Sequence, residues 1–284
     1  MKNALLILLP LFLLLSRHGL EPEQSGLVPK EVRTEQGIWR YEVSNKGKKA
    51  ILFLHGAGSS KKIWKKQHSV VLQGYKNIFV DLLGYGASDQ PDSGYNLANW
   101  IKGIHLVLEN EKVDEVCIVA HSNGVIFAKE YYRAYPEKIS SLLLLDGMLK
   151  QLIKDEMLAW MKSTLERSDY ESFMANNIQH MPVKGLSDQD VTLLKTDALN
   201  TPKTVTMAEF ELVNDPSTWE DLTIACPVTV VHSNNPLWND AYVEWLQHAA
   251  PNHQFYQWND SGHFIPLEHP ERLNSLITEV VPGK

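Results

Sequence analysis

The run Ala120-His121-Ser122-Asn123-Gly124 stands between an apolar segment, Glu115-Val116-Cys117-Ile118-Val119, and a helix-compatible stretch over 125–135. A serine with small residues two positions away on either side, at a strand-to-helix junction, is how a hydroxyl becomes exposed on a sharp turn. The turn forces strained backbone angles on the serine, and bulky flanking side chains would collide. Ala120 stands where glycine is the commoner residue. A short match of this kind also arises by chance, so its meaning rests on the segments around it.

Two of those segments speak to the same chemistry. Ile51-Leu52-Phe53-Leu54 runs into His55-Gly56-Ala57-Gly58, a glycine-rich turn that can bring backbone N–H groups close to a ligand oxygen. Near the C-terminus, Asn259-Asp260-Ser261-Gly262-His263-Phe264 places a histidine in a loop between the strand-like 253–258 and a helix. Asp81-Leu82-Leu83-Gly84-Tyr85-Gly86-Ala87-Ser88 adds a further glycine-punctuated loop, with Gly84 and Gly86 read as turn formers. With turn, serine and histidine in that chain order, residues 38–282 resemble an α/β-hydrolase with a serine nucleophile. The resemblance implies an α/β fold: a mostly parallel eight-stranded sheet flanked by helices, with a helical cap inserted after the sixth strand.

The pattern along the chain agrees with that architecture. Residues 21–36 are polar, contain Pro22 and Pro29, and read as a spacer. Residues 37–43 and 49–54 read as a strand pair around the turn Ser44-Asn45-Lys46-Gly47. A short buried strand follows at 77–80. Leu97, Ile101, Ile104 and Leu108 recur at helical spacing within 95–111. The apolar strand 139–145 ends at Asp146-Gly147. Strands alternating with helices argue for a mostly parallel sheet covered on both faces.

From 147 to 221 the strand signals stop, and helix-compatible stretches occupy 150–166, 170–180, 188–198 and 205–213. The sheet resumes at 227–232. The expected core is therefore 37–147 with 222–284, and 148–221 is the cap over the nucleophile. Met148, Met157, Met161, Met174, Met181 and Met207, with Trp160, Phe173 and Phe210, are candidates to line an apolar pocket. Most of them are expected instead to pack the cap onto the core.

Composition narrows the partners. The chain has 284 residues, 44% of them hydrophobic, which is ample for a large buried core. The net charge of -7 offers no attraction to nucleic acid. Its densest basic stretch, Lys61-Lys62 and Lys65-Lys66 around Trp64, reads as a solvated helix face. The expected partner is a small-molecule substrate; oligomeric state is left open.

Residues 4–15 are twelve apolar residues in a row after Lys2. That is the length of a signal-peptide core and is short for a membrane span. Residues 1–20 are therefore expected to be a leader that exports the protein to a periplasmic or secreted location. An uncleaved N-terminal membrane anchor is the alternative. Cys117 and Cys226 lie on or beside strands that are not neighbours in the family's order, so they read as small buried hydrophobes without a bridge. No histidine or cysteine cluster has metal-ligand spacing, and no metal or organic cofactor is implied.

A serine hydroxyl needs a base in hydrogen-bond reach, and the base needs a third group to orient it. Ser122 is the candidate nucleophile and His263 the candidate base. The resemblance assigns the oxyanion donors to the backbone N–H groups of Asn123 and Ala57. His55 is expected to fix the turn beneath them, and His121 to point away from the serine. The acid departs from the family's usual pattern. An Asp before Pro after the seventh strand is common there, but this chain has Asn235-Pro236. Asp146, after the sixth strand, matches an alternative acid position and is preferred ahead of Asn235 and Asp240.

The expected reaction is hydrolysis of a small to medium carboxylic ester through an acyl-enzyme. Related C–C, lactone and amide bonds use the same parts. Epoxide hydrolysis and dehalogenation are disfavoured, because those branches attack with a carboxylate. The alternative from another class is a ligand-binding protein on a hydrolase fold with degraded catalysis, for which Asn235 is the support.

Overall fold

Eight strands form where apolar runs can be covered on both faces: β1 (Val28–Arg33), β2 (Ile38–Ser44), β3 (Lys49–Leu54), β4 (Tyr75–Val80), β5 (Glu115–His121), β6 (Ile139–Leu145), β7 (Val228–Ser233) and β8 (His253–Trp258). They belong to a computed structural model that describes residues 26–44 and 46–281. The leader or anchor expected over 1–20 lies outside the described residues. The strands make one sheet in the order β1-β2-β4-β3-β5-β6-β7-β8. β2 is antiparallel to both β1 and β4, and every other neighbouring pair is parallel. This is the α/β-hydrolase architecture expected from the sequence.

Alternation along β3 divides the core. Ala50, Leu52 and Leu54 point into one hydrophobic cluster, and Ile51 and Phe53 into the other. Helices α1 (Leu97–Asn110) and α2 (Gly124–Ala134) cover the first face. The helical insertion follows β6 and comprises α3 (Asp155–Arg167), α4 (Tyr170–His180), α5 (Asp188–Asn200) and α6 (Lys203–Asn214). After β7 come α7 (Asp240–Ala249), α8 (Ile265–Glu268) and α9 (Pro270–Val280). α9 covers the second face through Leu273, Leu276 and Ile277. Among the described residues no helix is long and apolar enough to cross a membrane.

Three expectations need correction. The residues read as a spacer, 21–36, contain β1, which pairs with β2 and is pinned by Lys30 Nζ 2.8 Å from Glu111 Oε1. Its residues are almost all exposed, so no apolar alternation advertised it, and Pro29 is tolerated because the strand lies at the sheet edge.

β2 and β3 do not pair with each other, because β4 lies between them. β4 is buried at every position, and a strand covered on both faces belongs in the sheet interior rather than beyond a hairpin.

The lysine run is only in part a solvated face, because Lys61, Lys65 and Lys66 pair with buried carboxyls and are at most partly exposed, whereas Lys62 stays largely exposed. Lys61 is buried against Asp81 at 2.6 Å, and Lys65 and Lys66 reach the buried Asp190 of α5 at 2.7 and 3.0 Å. Lys65 and Lys66 tie the insertion to the core, as does Lys62 through Asp197, whereas Lys61 pairs within the core.

Candidate active site

Ser122 follows β5 directly and holds a left-handed backbone angle, φ 55°, which non-glycine residues rarely adopt. The small neighbours are required. A Cβ on Gly56 would lie 2.6 Å from Ser122 Cβ, and one on Gly124 would lie 2.7 Å from Leu54 O. The turn is locked by Ser122 N donating to Leu145 O at 2.9 Å. Asn123 already has helical angles, so its N–H belongs to the first turn of α2, where amides have no intrahelical acceptor. Ala57, at the tip of the turn after β3, shares the cavity wall with Ser122 and Asn123. His55 braces that turn: Nδ1 bonds Gly56 O at 2.9 Å, and Nε2 accepts from Leu82 N at 3.2 Å.

The loop after β8 brings His263 Nε2 to 3.1 Å from Ser122 Oγ. Its other nitrogen, Nδ1, lies 2.7 Å from Asp146 Oδ2. Asp146 also adopts a left-handed angle, φ 45°, and its N–H donates to Val231 O at 2.8 Å. Its second oxygen, Oδ1, accepts from Ser233 N at 2.7 Å and from Trp238 Nε1 at 3.0 Å. Burial by itself would push this carboxyl up. The hydrogen bond and charge of His263, with the Ser233 amide, outweigh burial and hold it down to about 2.

The two other acid candidates are not brought to His263. Asn235 Oδ1 accepts from Leu237 N at 3.0 Å within its own turn, and Asp240 is exposed at the start of α7.

His263 is braced from three sides. Its N–H donates to Pro182 O, in the insertion, at 2.7 Å. Glu268 of α8 accepts from Gly262 N, Ser261 Oγ and Phe264 N. His121 Nε2 donates to His263 O at 2.7 Å, and its ring lies beside that of the candidate base. Burial, followed by the neighbouring His263, drives the His121 ring down to about 3. A neutral His121 places no like charge beside an imidazole that must become positive when it takes a proton.

Ser122 opens into a cavity of about 500 Å³ between sheet and insertion. Met148, Met161, Met174, Met181, Phe173 and Phe210 line it. Only the remainder of the expected set does otherwise: Met207 packs within the insertion, and Met157 and Trp160 are exposed. The expectation that most of these residues serve packing alone is reversed, because the helices enclose a hollow rather than a solid interface. Among the described residues no group of three or more His, Cys, Asp or Glu side chains is arranged to hold a metal ion.

Residues 51–276 match the model of the alpha/beta hydrolase family. The chain belongs to this family. Family membership supports hydrolase activity. A 2-hydroxy-6-oxononadienedioate/2-hydroxy-6-oxononatrienedioate hydrolase of Paraburkholderia phymatum is 25% identical over 276 residues, covering 84% of this chain and 89% of that protein. An uncharacterized protein of Mycobacterium tuberculosis is 32% identical over 133 residues, 46% of this chain, and the match spans only 39% of that relative's length. Among solved structures, Est816, described as an N-acyl homoserine lactone degrading enzyme, superposes with a TM-score of 0.76 at 24% identity. That match covers 89% of this chain and all of the other, and it shows the fold.

Several residues around the site of this α/β-hydrolase carry no local signal in the sequence. Trp238 acts through a partner 92 residues away, and Pro182 meets a histidine 81 positions later in the chain. Glu209 of α6 is a fully buried carboxyl in the cavity wall. Its place within a helix-compatible stretch marks it only as an ordinary helical glutamate. A hint was available in the apolar Phe210 and Val213 that share its face.

Proposed function

We propose that this chain is a serine hydrolase that cleaves small to medium carboxylic esters through an acyl-enzyme on Ser122. The observation that carries the reading is the continuous relay from Ser122 Oγ to His263 Nε2 at 3.1 Å and from His263 Nδ1 to Asp146 at 2.7 Å. His263 takes the hydroxyl proton as Oγ attacks the ester carbonyl carbon, and then returns it to the departing alcohol. Water, deprotonated by the same imidazole, attacks the acyl carbon; the bond to Oγ breaks, the acid leaves, and the imidazolium returns its proton to Ser122 Oγ. Asp146 keeps the Nδ1–H tautomer and stabilises the imidazolium. The backbone N–H groups of Asn123 and Ala57 receive the developing oxyanion. The insertion acts as a cap, and its apolar lining suits an apolar acyl or alcohol group.

Lactone, amide and C–C hydrolysis would use the same parts. Epoxide opening and dehalogenation need a carboxylate where this chain has the Ser122 hydroxyl. The ligand-binding alternative drew on Asn235, but Asn235 has a turn to hold, and a carboxylate already meets His263 from another strand.

The test is labelling by a fluorophosphonate together with turnover of p-nitrophenyl esters of rising chain length. Ser122→Ala is expected to abolish labelling and lower turnover by roughly 10^3-fold or more at unchanged melting temperature. Turnover near wild type in a folded Ser122→Ala protein overturns the reading.

A further inference from the structure

The cavity contains one buried acid that the proposed reaction does not use. Glu209 is 4% exposed and lines the cavity wall on α6, where Thr206, Phe210 and Val213 share its face. The Tyr85 hydroxyl and the Asn123 side chain interact with its carboxyl. Oε1 meets no close donor among the described residues, which leaves the carboxyl with hydrogen-bonding capacity for a ligand in the cavity. An unpaired buried polar atom is costly, and in a cavity wall that cost is relieved when a ligand supplies the partner.

We infer that Glu209, backed by Tyr85 from behind the cavity wall, forms a polar subsite that selects substrates bearing a hydroxyl group on an otherwise apolar chain. Asn123 joins this subsite to the reacting centre: its side chain contacts Glu209, and its backbone N–H is the proposed oxyanion donor. That placement rests on the serine-hydrolase reading. Burial pushes the Glu209 carboxyl up to about 7, so both protonation states are present near neutrality. A hydroxyl suits either one, since it both donates and accepts. The neighbouring lining from Phe210, Val213 and Met161 offers no competing polar group, so a chain without the hydroxyl leaves Oε1 unpaired.

Binding can be measured without the chemistry. In Ser122→Ala protein, tryptophan fluorescence, with Trp238 in the cavity wall, reports titration with heptan-2-one, 4-hydroxyheptan-2-one and 7-hydroxyheptan-2-one. At least one hydroxyketone is expected to bind about 10-fold more tightly than the parent ketone. Adding Glu209→Met should erase that preference while keeping affinity for the parent, and Glu209→Gln should retain part of it. Equal affinities for all three ketones, or a preference that survives Glu209→Met, overturns the subsite. Because Ser122 is absent throughout, failure here leaves the nucleophile assignment to its own labelling test.

Discussion

Asp146 has to reach His263 from β6 rather than from β7, and a left-handed backbone angle makes that possible. Such an angle costs a non-glycine residue on the order of 1–3 kcal/mol, and aspartate is among the side chains that tolerate it best. Here the amide bond to Val231 and the bonds from Ser233 and Trp238 hold the residue in place. The carboxylate thus meets the imidazole already oriented. Asp146→Asn is expected to lower ester turnover by roughly 10^2- to 10^4-fold, the scale of loss when a triad acid is neutralised. Asn235→Ala should have a much smaller effect, since Asn235 supports only its local turn. Steady-state kinetics of the two variants side by side decides it. A crippling Asn235→Ala beside a nearly silent Asp146→Asn would reassign the acid.

At the scale of elements, the insertion and the sheet are joined by charge as well as by apolar contact. Lys65 and Lys66 converge on Asp190 of α5, and Ser60 donates to Asp197 of the same helix at 2.5 Å. Burial raises the Asp190 carboxyl, but the two lysines and Ser187 outweigh it and hold the group well below the ordinary carboxylate range. At the loop after β8, Pro182 O takes the His263 amide, and Lys184 N donates to Glu268. The insertion therefore touches the loop that carries the candidate base. Asp190→Asn should loosen α5 without unfolding the sheet, because Lys65 and Lys66 are partly exposed and can turn to water. Hydrogen exchange is expected to show faster amide exchange over 188–200 with protection in β3 to β7 unchanged. Uniform loss of protection, or none, would remove the pairing as a local staple.

Across the whole molecule, two buried carboxyls set opposite pH limits on stability. Asp146 is lowered from 3.8 to about 2, so its contribution is complete above the unfolded value and is lost as pH falls from 3.8 through about 2. Glu209 is raised from 4.5 to about 7, chiefly by burial. The folded state therefore binds its proton more tightly than the unfolded chain. Its contribution is complete below 4.5 and is lost as pH rises through about 7. Glu209→Gln, which removes the ionisation, should raise the melting temperature relative to wild type more at pH 8 than at pH 5. Equal shifts at the two pH values would mean that Glu209 titrates like an exposed acid.

The strand, turn and helix around Ser122, the glycine turn at 56–58 and the sheet-forming runs were legible in the chain itself. Backbone sterics and side-chain periodicity act within a few consecutive residues, and they suffice for these local elements; the resemblance to α/β-hydrolases that the motifs carry supplied the fold class and the candidates Ser122 and His263. The edge strand β1, the place of β4 between β2 and β3, and the partners of the lysine run were not legible. Each depends on a surface that a distant segment supplies. The acid was ranked from its position, with Asp146 ahead of Asn235 and Asp240, but the contact itself was not legible: His263 and Asp146 are 117 residues apart, and only the side-by-side packing of β6 and β7 with the loop after β8 brings them to 2.7 Å. Consecutive residues determined the fold; contact between distant ones decided which carboxylate reaches the imidazole and what the cavity wall presents.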